Sequence, residues 1–294
     1  MSETPNVDTW TVQRLLDWTR GHFEQNAVES PRLCAEILLA HAIGCERIEL
    51  YTRYHSTPDE AALSTFRTSV KQAAEGRPIA HLTGEKEFFS LAFEVTPDVL
   101  VPRPETEILV ERVISLARQK DNEIKTILDV GVGSGCIAIS LAKNLPEAAF
   151  SASDISEAAL AVARRNAARH EVSARIDFRA GDLCSPWDAE QQFDAIVSNP
   201  PYIAETEAAD LPTNVRDYEP SLALFSGPDG LDVVRRLAAE TPPHLKPNGH
   251  LLMEIAYNQA ADVTRLLDES GWRDIVTYKD DLGHQRVVHA RRRK

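Results

Sequence analysis

Apolar positions recur at helical spacing through the first quarter of the chain and gather into short strand-like runs after it. Val12, Leu15, Leu16 and Phe23 fall near one face of a first helix. Ser30-Pro31 then offers an N-cap followed by proline at the first helical position, and Gly44 closes that segment. Thr57-Pro58-Asp59-Glu60 has the form of a capping box, and Leu63, Phe66, Val70 and Ala73 continue at helical spacing until Gly76-Arg77-Pro78. These stripes are read as core packing. Between Ile79 and Val101 the pattern changes. Phe88 to Val95 is aromatic and β-branched, and Thr96-Pro97-Asp98 is a turn signal, so a short hairpin is expected here, joining two domains.

Beyond Pro104 short apolar runs alternate with helical stretches. Ile127-Leu128-Asp129-Val130 reads as a strand, followed by a glycine-rich turn and a helix that stops near Pro146. A second strand ends at Asp154, a helix starts at Ser156, and Ile176-Asp177-Phe178, Ala195-Ile196-Val197 and His250 to Ile255 supply three more. Trp272 to Tyr278 and Gln285 to Ala290 complete the set. This alternation predicts a doubly wound parallel sheet. The loop from Lys279 to His284 is too short for a parallel crossover, so the last strand should run antiparallel to its neighbour.

Composition narrows the function. With 32 Lys+Arg against 45 Asp+Glu the formal net charge is −13, the wrong sign for a protein that lives on phosphate contacts. No run of roughly 18 to 20 apolar residues is long enough for a membrane span. Met1-Ser2-Glu3-Thr4-Pro5 is polar and unlike a secretory leader, and Cys34, Cys45, Cys136 and Cys184 form no CxxC pair. A cytoplasmic protein with reduced thiols, no metal site and no membrane partner is expected.

The sharpest nucleotide signal is Asp129-Val130-Gly131-Val132-Gly133-Ser134-Gly135, set between a strand and a helix. Glycines there let backbone approach a ligand closely. Asp154, 19 residues beyond Gly135 at the end of the next strand, can hold both hydroxyls of an adenosine ribose. The spacing lacks the final glycine of the dinucleotide fingerprint, since Cys136 and Ile137 follow Gly135. Asp129 would repel a pyrophosphate and suits a cation instead; S-adenosylmethionine carries both an ammonium and a sulfonium. Gly181-Asp182-Leu183 follows the third strand, where Asp182 can meet an adenine amino group and Leu183 the face of the ring, or the segment is merely a solvated turn.

The strand Asp194 to Ser198 runs directly into Asn199-Pro200-Pro201-Tyr202. Two prolines stiffen the turn and remove two N–H donors. The Asn199 side-chain carbonyl and the Pro200 backbone carbonyl can accept both hydrogens of a planar –NH2 group, and Tyr202 offers a ring to stack on it. An amide nitrogen is a poor nucleophile because its lone pair is delocalised. Accepting both N–H bonds orients it and stabilises the charge that builds on it during transfer.

On these residues the chain resembles the class I methyltransferases of planar amino groups and, more narrowly, the release factor glutamine methyltransferases (the PrmC/HemK family). The likeness also rests on Leu82-Thr83-Gly84 with Glu87-Phe88-Phe89, on Val101 to Glu107, and on Glu219-Pro220 with Gly230-Leu231-Asp232. It implies a Rossmann-like seven-stranded α/β sheet with a small N-terminal helical domain and a β-hairpin linker. Residues 1–78 become a substrate-docking domain, 79–103 the linker and 104–294 the methyltransferase domain. The implied cofactor is S-adenosylmethionine, held by Gly131, Val132, Gly133, Ser134, Gly135, Asp154, Asp182, Leu183 and Asn199. The implied partner is a peptide-chain release factor, whose Gly-Gly-Gln glutamine is received by Asn199, Pro200, Pro201 and Tyr202, with Asn199, Pro200 and Tyr202 catalytic, in an enzyme working as a monomer without nucleic acid. Leu183 stands where some members carry Trp, which weakens stacking on adenine. A glutamine methyltransferase of a ribosomal protein, an adenine-N6 nucleic-acid methyltransferase, a non-catalytic S-adenosylmethionine-binding scaffold and a dehydrogenase are the alternatives. The acidic balance opposes the nucleic-acid reading, with the terminal Arg291 to Lys294 run taken as a frayed tail.

Overall fold

The computed structural model describes residues 9–119, 124–188 and 190–293; the Met1 to Pro5 stretch lies outside them. Two compact units result, one of the residues up to Gly84 with Pro212–Tyr218, the other of Glu85–Leu211 with Glu219 onward. None of the four cysteines forms a disulfide.

The first unit is helical, with segments Val12–Gln25, Pro31–Ile43, Glu49–Thr52, Glu60–Ala74 and Ile79–Thr83. Val12, Leu15, Phe23, Leu38, Leu39, Phe66 and Val70 share its core, as their spacing requires. Two cap assignments need correcting. Ser30 adopts a left-handed conformation and its side chain caps nothing, so Pro31 and the αL Gly44 alone punctuate that helix. In the third long helix the cap is Asp59, whose carboxylate accepts from the Ala62 N–H at 2.8 Å, and Thr57 takes no part.

The second unit opens with a hairpin, β1 (Glu85–Phe88) and β2 (Leu91–Glu94), that reverses at Phe89-Ser90 rather than at Thr96-Pro97-Asp98. Both turn residues carry positive φ (50° and 60°), and the Phe89 N–H is held by Glu107 Oε1 at 2.8 Å. Buried Phe88 and Phe93 join the core beneath the large sheet, which is why the hairpin groups with this unit.

That sheet comprises β3 (Thr126–Val130), β4 (Ala149–Asp154), β5 (Ile176–Ala180), β6 (Phe193–Ser198), β7 (Leu245–Glu254), β8 (Arg273–Lys279) and β9 (Gln285–Arg291). Its order is β5-β4-β3-β6-β7-β9-β8. β9 is antiparallel to both neighbours, and the pairs from β5 across to β7 are parallel. The central strands carry apolar side chains on both faces because each face meets its own core. Ile127, Ala195, Val197 and Leu252 turn to one core, while Leu128, Val130, Ile196, Leu251 and Met253 turn to the other. Of the Arg291 to Lys294 run, Arg291 closes β9 and Arg292 is tied down rather than frayed: its N–H donates to Gly249 O at 2.9 Å, and its guanidinium reaches Leu245 O, while Lys294 lies outside the described residues. From β3 the chain steps outward through β4 to β5 on one side, then crosses back to lay β6 on the other side of β3. The crevice outside their carboxyl ends is the switch point where ligands of such sheets sit.

Candidate active site

On the β4 side of that crevice the glycine turn is fastened by backbone. The Gly131 and Val132 N–H groups both donate to Ser153 O, at 2.9 and 3.0 Å. Gly131, Gly133 and Gly135 all have positive φ, which side-chain-bearing residues adopt only with strain. Asp154 Oδ2 accepts from the Gly133 N–H at 2.9 Å and Oδ1 from the Ser156 N–H at 2.9 Å. Burial pushes its carboxyl up, against the pull of those two bonds. The Gly181 N–H donates to Asp154 O, bringing the end of β5 alongside.

On the β6 side, register sets Val130 beside Ser198, and Ser198 Oγ donates to Val130 O at 2.7 Å. Asn199 therefore emerges next to the glycine turn. Its Nδ2 donates to Thr106 Oγ1 at 3.1 Å, while its Oδ1 is buried and has no partner among the described residues. An unpaired buried carbonyl costs stability and marks an acceptor awaiting a ligand donor. The Tyr202 hydroxyl donates to Glu254 Oε1 at 3.2 Å, and burial with the adjacent carboxylate pushes that phenol up, so it stays protonated. The Tyr202 carbonyl accepts from Gln259 Nε2 at 2.9 Å. Gly230 (φ +75°) passes so close that a Cβ there would lie 2.3 Å from the same carbonyl, which only glycine permits.

A cavity of about 270 Å³ opens between these halves. Gly131, Val132, Gly133, Ser134, Asp154, Asp182, Leu183, Asn199 and Pro201 line it, with Pro102, Arg103 and Thr106 closing one side. Gly135, Pro200 and Tyr202 do not line it. Gly135 instead starts the helix Cys136–Asn144, packed where a Cβ would meet Ile139 at 2.8 Å. Tyr202 faces a second cavity of about 420 Å³, whose Arg235 and Arg265 are already paired with Asp229 and Asp262. The smaller cavity holds the glycine turn and the Asn199 acceptor, which makes it the candidate active site. Asp182 is bound by Arg236 at 2.8 and 3.1 Å, and Leu183 is fixed by its carbonyl accepting from Ser153 Oγ at 2.8 Å. Asp129 lies outside the cavity wall. It is buried under the turn, accepts from the Ala138 N–H at 3.0 Å, and burial pushes it up to about 7.

Four residues at the site went unassigned from sequence. Thr106 and Glu254 form a chain behind Asn199, and buried Glu219 anchors Arg103 at the cavity wall while accepting from the Val101 N–H. Arg103, Thr106 and Glu219 lay in segments that carry the family resemblance but showed no task, and Glu254 left a signal of its own: a carboxylate ending the apolar run Leu251-Leu252-Met253, at the carboxyl end of a central strand.

Residues 105–214 match the family "Methyltransferase small domain" and residues 14–84 the family "PrmC N-terminal domain". A methyltransferase from Pyrococcus furiosus shares the fold at a TM-score of 0.53 and 19% identity, over 77% of this chain and 100% of that one. The family match and the shared fold define a methyltransferase, an enzyme of the kind that uses S-adenosylmethionine. Curated relatives are closer in sequence. The release factor glutamine methyltransferase of Rhodopirellula baltica is 44% identical, over 98% of each chain, and that of Geobacter sulfurreducens 40% identical, over 99% of each. The chain belongs to the release factor glutamine methyltransferase family.

Proposed function

We propose that this enzyme methylates the side-chain amide nitrogen of the Gly-Gly-Gln glutamine of peptide-chain release factors. One observation carries the reading: the buried Oδ1 of Asn199 at the end of β6, without a partner among the described residues, in the same cavity as the glycine turn. Left-handed glycines, an acid at the end of β4 and this free acceptor fit S-adenosylmethionine beside a planar amide. Gly131 to Gly133 and Asp154 would hold its amino-acid and ribose parts, with Leu183 against the adenine. When bound, the cofactor supplies an electrophilic methyl on a sulfonium. Asn199 Oδ1 accepts one N–H of the incoming amide, and the Pro200 carbonyl is assigned the other. Those bonds aim the nitrogen and favour the charge that develops on it. Tyr202, pinned through its carbonyl and hydroxyl, stiffens the turn.

Residues 1–78 are assigned to docking the release factor, 79–103 to linking and 104–294 to transfer. One glutamine among many cannot be selected by its amide alone, so binding remote from the reacting atom is needed. This substrate places the enzyme in the cytoplasm, and its net charge of −13 favours a protein partner, met by a monomer, over nucleic acid. The test is incubation with labelled S-adenosylmethionine, purified release factors, ribosomal proteins and DNA, followed by mass spectrometry. A +CH2 glutamine in the release factor is expected. Label in the ribosomal protein or on adenine alone would replace this reading by the corresponding alternative.

A further inference from the structure

Behind the cavity runs a chain of hydrogen bonds that begins at the Asn199 amide and ends in a buried carboxylate. Asn199 Nδ2 donates to Thr106 Oγ1 at 3.1 Å, and Thr106 Oγ1 in turn donates to Glu254 Oε2 at 2.6 Å. Thr106 and Glu254 are each only 1% exposed, so water does not compete for either bond. A hydroxyl carries one hydrogen. Here it is committed to Glu254, which leaves the Thr106 oxygen able only to accept. The NH2 end of Asn199 must therefore face Thr106, and the carbonyl end must face the cavity. The two ends of an amide are told apart by such a network and not by shape, since they are nearly isosteric.

The polarity matters because only one orientation is useful. A substrate –NH2 offers hydrogens, and Asn199 can receive one only through Oδ1. With the amide turned over, two NH2 groups would face each other and the clamp would be lost. We propose that Glu254, acting through Thr106, is the positioning residue that sets the direction of the Asn199 amide and so makes the site receptive to an amide nitrogen. The proposal rests on the amide-methylating reading above, but its test separates the two.

The relay has a fixed direction only while Glu254 is ionised and can do nothing but accept; protonated, it keeps acceptor capacity but also gains a donor. A protonated Glu254 could donate to Thr106, freeing the Thr106 hydrogen for Asn199 Oδ1 and reversing the chain. The groups facing Glu254 are Thr106, Tyr202, Glu105, Cys136 and, on the neighbouring β9, Arg286, with Arg103 beyond Tyr202. Burial pushes the Glu254 carboxyl up to about 7, with Glu105 adding to the rise and Thr106, Tyr202 and Arg286 opposing it. The receptive orientation should therefore be lost as pH falls through about 7.

The test uses the full-length enzyme and an acceptor protein that the wild type methylates. Thr106→Val, Thr106→Ser and Glu254→Gln are compared in kcat against pH, in S-adenosylmethionine affinity by calorimetry, and in thermal midpoint. Thr106→Val breaks the relay, and kcat should fall about 10- to 100-fold, as when partners orienting a metal's ligands are removed, with cofactor affinity nearly unchanged. Thr106→Ser keeps the hydroxyl and should recover most of that loss. In Glu254→Gln either end of the new amide can face Thr106, so kcat should fall and its acidic limb near pH 7 should vanish. Retention of that limb would assign it to another group, such as Asp129, and overturn the proposal. So would a Thr106→Val enzyme with wild-type kcat, or a folded Thr106→Ser enzyme as impaired as Thr106→Val. Should Glu254→Gln fail to fold, the Thr106 pair decides. A wild type that methylates no glutamine refutes the functional reading itself, whereas an active wild type with an indifferent Thr106 refutes the relay alone.

Discussion

The two halves of the cavity are built in different ways. On the glycine side, nearly every fixed contact is backbone of one strand end meeting backbone or carboxylate of the next: Gly131 and Val132 on Ser153, Gly133 on Asp154, Gly181 on Asp154. On the Asn199 side the contacts run through side chains brought from far along the chain, Thr106, Glu254 and Gln259, with Gly230 leaving room. The first half is dictated by sheet register, so few side chains matter there. The second depends on each remote partner, and a single replacement should be felt strongly.

Replacing Asn199 tests that contrast most severely. Asn199→Ala should lower kcat about 100-fold or more, the usual scale for one group stabilising transition-state charge. Cofactor affinity should change far less, and near wild-type turnover would show that the clamp lies elsewhere. Next in size is Gly230→Ala, which forces a methyl against the Tyr202 carbonyl at a positive-φ position. A loss of about 2 kcal/mol in chemical denaturation is expected, together with lower kcat. On the glycine side Asp154→Asn should behave oppositely. Affinity for S-adenosylmethionine should weaken about tenfold, roughly 1.4 kcal/mol, with saturated turnover nearly intact. A kcat defect at saturating cofactor would erase the proposed division of labour.

The smallest effect concerns Asp129 beneath the turn. Its folded pKa, about 7, lies above the ordinary carboxylate value of 3.8, so the fold prefers the protonated form. Stability from that preference is complete below pH 3.8 and is lost as pH rises toward 7. Asp129→Asn should gain on the wild type across that window, by about 1 kcal/mol after relaxation discounts the full shift. Denaturation curves at several pH values measure this, and a flat difference would show that burial does not raise the Asp129 carboxyl above its ordinary value.

What the sequence disclosed follows the same division. The strands, the glycine turn and Asp154 were legible because period and turn chemistry are local properties. The hairpin reversal was not. Phe89-Ser90 has none of the Asn or Gly that favours positive φ, and the turn is held by Glu107 from a helix 18 positions on. Ser30 resembled a cap in composition, yet its backbone is left-handed and its side chain makes no cap hydrogen bond to the helix. Thr106 lay inside a recognisable segment without a readable task, since its partners Asn199 and Glu254 are 93 and 148 residues distant.

One detail of the chain path bears on how such an enzyme can be recombined. Between leaving β6 and entering β7 the chain contributes Pro212–Tyr218 to the helical unit, where Thr213 stands 3.3 Å from the position a Cβ on Gly76 would occupy. The helical unit is therefore not a detachable leader. A chimera that exchanges the helices for those of a relative should carry Pro212–Tyr218 from the same parent, and one that splits them should fold less well. Selection on substrate choice acting upon the helices must then act on this insertion too, so the two stretches form one heritable module written in two places.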